Sequence, residues 1–146
     1  MFKKPLFLEA LIFFAIVAGL HLVATVNHFY WSIYEFDSMV HFLAGTALAL
    51  FFSWFYFFSG FFDPQKRNLR KFLLISILGA MLVGVFWETY EIIFKQTMVS
   101  KIDYPYDLTM DLIMDFLGAL AGCFYAYIKE YNRQVVIKNN NEFKSE

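Results

Sequence analysis

Four long apolar runs, separated by short charged stretches, set the pattern of this chain. A helix needs about 20 residues, at 1.5 Å each, to cross the hydrocarbon core of a bilayer. The pattern therefore predicts an all-α integral membrane protein, a bundle of four transmembrane helices. The first covers about 6–30, too long for a signal-peptide core and with no A-x-A cleavage pattern after it, so it reads as a retained helix. The second covers about 41–62 without a single charge.

Helices three and four require a choice. Their strictly apolar stretches, 72–86 and 116–128, fall short of a ~30 Å core. They span only if the third runs on through Glu88 and Glu91 to about residue 94, and the fourth starts near Asp107 and carries Asp111 and Asp115 below the interface. The alternative is two half-helices that never cross. The full-length reading gives one transmembrane domain over 1–131 and a polar tail over 132–146 that is disordered at its end.

Composition agrees: 60% of the 146 residues are hydrophobic, against roughly half in soluble domains. A net charge of −1 and the lack of a basic cluster on a soluble element exclude nucleic acid as a partner. Cys123 is the only cysteine and lies in an apolar run, so there is no intrachain disulfide and no thiolate cage.

Basic residues of the short loops orient the bundle. Lys3 and Lys4, then Lys66, Arg67, Arg70 and Lys71, then Lys129, Arg133, Lys138 and Lys144 fall on one side. The opposite side has only Lys95 and Lys101. Both termini are therefore expected in the cytoplasm, with the protein in the cell (inner) membrane. Tyr30, Trp31, Trp87, Tyr104 and Tyr106 suit an outer aromatic belt.

This topology brings the ionisable residues to one leaflet. Asp37 and His41 open the second helix, Glu88 and Glu91 close the third, and Asp107, Asp111 and Asp115 open the fourth. Spacings of three and four put each set on one helix face. The same faces continue inward as Ala44 and Gly45, as Gly84 and Ala80, and as Gly118 and Gly122. Small residues let transmembrane backbones approach closely, so these faces are expected to pack together with the carboxylates turned inward. Ionisable groups in a membrane are costly and are functional candidates. So many carboxylates cannot all stay ionised at low dielectric; protons or a cation must compensate them. Carboxylates with imidazole suit Zn²⁺, Mn²⁺ or iron, and an all-oxygen subset suits Mg²⁺ or Ca²⁺.

Simpler readings compete at several positions. Asp37 and Asp107 could each cap a helix. His41 could bond only Asp37 or water. His28 could join the cluster, whereas His21 reads as a packed histidine bonded to a neighbouring helix. Glu9 reads as interfacial, and the aromatic run 51–62 as lipid-facing bulk.

Three segments together resemble a known family. D-S-M-V-H-F-L-A-G at 37–45, F-W-E-T-Y-E at 86–91 and Y-D-L-T-M-D-L-I-M-D-F-L-G-A at 106–119 resemble the YjdF-like inner-membrane proteins and, more distantly, the VanZ-like family. The resemblance points to Asp37, His41, Glu88, Asp111 and Asp115. Glu91 stands where VanZ-like proteins often have Gln, and Asp115 where Asn is common, so this site is the more acidic. The resemblance implies a fold and a site but no particular reaction.

Two function classes follow. In the first, Asp37, His41, Glu88 and Asp111 hold a divalent metal (Zn, Mn or Mg), and Glu91 or Asp115 acts as general base on a lipid or lipid-linked envelope substrate. No H-E-x-x-H, serine nucleophile or outer arginine clamp accompanies it. In the second, the acids carry protons or a cation without catalysis, in a transport or accessory role. Four helices leave little room for alternating access, an objection that a homodimer would relieve.

Overall fold

The computed structural model describes residues 5–33, 35–62, 64, 67–94 and 104–142. Within them the backbone forms α1 (Pro5–Asn27), a single turn α2 (Phe29–Ser32), α3 (Phe36–Phe58), α4 (Leu69–Phe94) and α5 (Tyr104–Glu142), with no strand. Four of these, α1, α3, α4 and α5, are long and apolar enough to cross a membrane. The third and fourth predicted spans are thus single continuous helices that include their acids, and the half-helix alternative does not hold.

The helices α3 and α5 form the most extensive pair, α4 packs on both, and α1 packs along α3. Glycine decides how closely the central pair meets. A Cβ on Gly45 would strike the backbone of Asp115, and one on Gly118 or Gly122 would strike the backbone at Phe42 or Thr46. The expected packing of small faces is realised there. On α4 the buried stripe is Phe72, Ser76, Ala80, Gly84, Glu88 and Glu91, a near-constant spacing of four that aims one face at α3 and α5. Leu78, Leu82 and Phe86 point outward, as lipid-facing residues do.

Several boundaries differ from the sequence reading. The first helix stops at Asn27, because His28 takes a left-handed conformation. Glu35 does the same, so left-handed residues bracket α2 and fold the link back over the end of the bundle. Such backbone is uncommon outside glycine, and hydrophobic spacing carries no trace of it. Glu35, not Asp37, is the N-cap of α3, and it makes no side-chain cap bond. Asp37 and Asp107 sit inside the first turns of α3 and α5, so neither caps its helix.

The aromatic run is part core and part lipid-facing rather than lipid-facing throughout. Trp54, Phe57 and Phe58 are buried with Phe72, and the Phe57 and Phe72 rings stack at 4.0 Å. The run combines a buried stripe with a lipid-facing one, which composition alone cannot separate. At 39 residues, α5 is ~58 Å long, so its exposed last turns continue well past a bilayer core. The expected tail is helical to Glu142.

At the end of the bundle opposite the acids, Glu130 on α5 is buried and meets Arg67 at 3.1 Å and Arg133 at 2.7 Å. Lys129 pairs with Glu9 of α1. Of the basic residues used to orient the chain, Lys3, Lys4, Lys66, Lys95, Lys101 and Lys144 lie outside the described residues.

Candidate acidic and histidine site

The sequence-predicted residues meet where α3 begins, α4 ends and α5 begins. His41, Glu88, Glu91, Asp111 and Asp115 are buried, and Asp37 is partly buried. Each arrives by local necessity. Positions 37 and 41 share one face of α3, 111 and 115 one face of α5, and 88 and 91 the buried stripe of α4.

His41 is the centre. Its Nδ1 is 3.3 Å from Asp115 Oδ2, and its Nε2 is 3.7 Å from Glu88 Oε1 and 3.8 Å from Asp37 Oδ1. One imidazole therefore faces three carboxylates, one on each of the three packed helices. Asp111 stands beside them, accepting a hydrogen bond from Ser38 Oγ at 3.2 Å. One donor atom from each of Asp37, His41 and Asp111 can be chosen so that all lie within 4.8 Å of one another. Glu88 Oε1 and Asp115 Oδ2 are buried and have no hydrogen-bond partner among the described residues.

Glu91 is set apart. Its Oε1 accepts from Trp87 Nε1 at 2.8 Å, and it lines a cavity of about 440 Å³ rather than touching His41. Such a volume is within the ~300–1,000 Å³ range of small-molecule sites. Phe14, Val17, Leu48 and Val83 line one end of it, and His21, Tyr30, Asp37 and Glu91 the other. His41 and Asp115 also reach its wall.

Sequence reasoning missed the donors around the acids. Ser38 also bonds Glu35 at 2.9 Å, and the Tyr104 hydroxyl donates to Glu88 at 3.3 Å. Trp87 and Tyr104 read as belt aromatics in sequence; the four-residue offset of Trp87 from Glu91 was the available signal. His21 bonds across α2, its Nδ1 2.8 Å from Tyr30 Oη. Burial, with the negative charge of Asp37 and Glu91 added, raises the Tyr30 phenol above its ordinary value. The hydroxyl therefore keeps its proton at neutral pH. His28 is exposed, packs against the Trp31 ring and does not join the cluster.

A family model described as Predicted membrane protein (DUF2238) matches residues 3–131. The YjdF-like resemblance is to this same family. No curated protein and no solved structure matches the chain.

Proposed function

The chain belongs to the DUF2238 family of predicted membrane proteins, a multi-pass membrane protein with a buried acidic and histidine group, and from that starting point we propose that the group binds a divalent metal and serves a lipid or lipid-linked envelope substrate. The observation that carries this reading is the convergence of Asp37, His41 and Asp111 within 4.8 Å, with Glu88 beside them. Four carboxylates, those of Asp37, Glu88, Asp111 and Asp115, stand around one imidazole, and no Lys or Arg pairs with them among the described residues. A divalent cation supplies the missing charge.

Donor chemistry narrows the choice of metal. Zinc holds its nitrogen and oxygen donors at about 2.0–2.2 Å from the ion, so side-chain rotations must draw together three donors spread over as much as 4.8 Å. Calcium takes oxygen ligands, and the imidazole argues against it. Zinc, manganese or iron is the better chemical match.

In this reading Asp115 is not a base but the partner of His41 Nδ1. Carboxylate–histidine–metal arrangements fix the tautomer and turn the other nitrogen to the ion. Here that leaves Nε2 toward Asp37 and Glu88. Glu91, facing the cavity, serves as general base, and a metal held by Asp37, His41, Glu88 and Asp111 would supply polarisation of a phosphoryl oxygen or of water. The bias of basic loop residues supports an orientation with both termini cytoplasmic and this site in the outer leaflet of the inner membrane.

A second reading has its own support. The unpartnered oxygens of Glu88 and Asp115 are also where protons would sit if the acids were neutralised without metal, in a proton- or cation-binding protein that catalyses nothing. A homodimer belongs to that alternative. Metal analysis of the detergent-purified protein decides between them. The metal reading expects stoichiometric metal in wild type, lost in both Glu88→Gln and Asp111→Asn. Wild type that stays empty after being offered Zn²⁺, Mn²⁺ and Mg²⁺ overturns it.

A further inference from the structure

The 440 Å³ cavity has a direction. Along α3 its lining runs from Asp37 to Leu48, ~16 Å of helix rise. That is about half of a ~30 Å hydrocarbon core. Of its polar groups, His21, Tyr30, Asp37 and Glu91 are toward the end of the bundle where α1 stops and α3 starts, His41 and Asp115 lie deeper, and Phe14, Leu48 and Val83 are toward the middle. Polarity thus falls from the membrane surface to the midplane over the length of one leaflet, as it does along a lipid.

The walls also leave a way in. On one side the cavity is bounded by α1 and on the other by α4, two helices that make little contact with each other. The His21 and Trp87 rings, with centroids 6.0 Å apart, are the bridge between them near the polar end. Below that bridge no close α1–α4 packing separates the cavity from the bilayer. Inside, the buried His41 and Asp115 pair, 3.3 Å apart, also reaches the wall.

The geometry points to a lipid-binding site in which one acyl chain of a bilayer phospholipid lies between α1 and α4, its tail against Leu48 and Val83 and its head beside His21, Tyr30 and Glu91. The volume suits one chain rather than two. This rests on the reading that the acidic site serves a lipid substrate, and it names the chain's berth and the head's contacts. His21 and Tyr30, which share one hydrogen bond at 2.8 Å, become head-group contacts: the pair can open so that the Tyr30 hydroxyl donates to a phosphate or glycerol oxygen.

The test uses full-length protein in nanodiscs of a phospholipid carrying a photoreactive diazirine at the end of one chain. Labelled residues are located by peptide mass spectrometry. The proposal expects label on Leu48, together with the ordinary label on the lipid-facing Leu78 and Leu82. Ala18→Trp, which fills the cavity, lowers the Leu48 label about tenfold and leaves Leu78 unchanged. Ala44→Leu fills it from α3 and repeats the test on another helix. Label confined to Leu78 and Leu82 in wild type overturns the proposal. Metal content of the same sample keeps the two readings apart: metal without Leu48 label rejects the chain site alone, and Leu48 label without metal rejects the metal reading alone.

Discussion

Gly84 on α4 and Asp115 on α5 compete for one space: a Cβ built on Gly84 would overlap Asp115 Oδ2. The missing side chain is what lets that carboxylate lie flat beside His41 Nδ1, 3.3 Å away. A stripe of small residues here shapes the site as well as the packing.

Gly84→Ala should therefore act on the site before the fold. The new methyl displaces a side-chain oxygen and not backbone, so Asp115 turns away and His41 loses its orienting partner. Metal affinity should fall ~10–100-fold, the usual effect of removing such a partner. Gly118→Ala is the contrasting case, since its Cβ meets the backbone of Phe42 and Thr46. It should lower bundle stability by about 1–3 kcal/mol. Thermal unfolding in detergent with parallel metal titration checks both, and equal loss of stability in the two variants would sink the distinction.

Asp115→Asn and Asp111→Asn separate an orienting carboxylate from a ligand. Both substitutions keep the shape and remove one charge. Asp111→Asn should abolish stoichiometric metal, whereas Asp115→Asn should weaken it ~10–100-fold and leave it detectable. Isothermal titration of the two variants side by side is the measurement.

His41→Ala leaves Asp37, Glu88 and Asp115 facing one another without the imidazole and, in the metal reading, without the nitrogen that holds the ion. Breaking a buried pair from one side costs about 3–5 kcal/mol where nothing compensates. The variant should unfold earlier on heating than His41→Gln, which keeps a hydrogen-bonding group in the gap. An unchanged midpoint in both would mean that the imidazole carries no charge balance.

Glu130 supplies a control at the far end of the bundle. Its carboxylate holds Arg67 at 3.1 Å and Arg133 at 2.7 Å, and Gln134 at 2.9 Å. Glu130→Ala should cost about 1–3 kcal/mol, since Arg133 is exposed and Arg67 partly so and both can turn to water, with metal content unaltered. Loss of metal in this variant would mean that the site depends on the whole bundle rather than on its own end.

Much of the molecule was legible before the fold. Two long apolar runs, and two shorter ones extended through their acids, gave the four helices, and offsets of three and four put Asp37 with His41, Glu88 with Glu91 and Asp111 with Asp115 on shared faces. Those are local rules, fixed by the rise and pitch of one helix. The Ser38 and Tyr104 bonds to Asp111 and Glu88 were not legible, because each joins residues on different helices. The split of the 51–62 run into core and lipid-facing halves also needed the neighbour Phe72.

The sequence by itself determined which residues share a helix face and which end of the bundle they occupy, because helical periodicity and the cost of charge in lipid act along one chain segment at a time. Only the tertiary structure decided that Asp115 takes Nδ1 of His41 while Asp37 and Glu88 face Nε2, and that Glu91 turns to a cavity instead. It also decided that α1 stands off from α4. Rotation of each helix about its axis is set by backbone contact at Gly45, Gly118 and Gly122, a condition between helices that no single segment encodes.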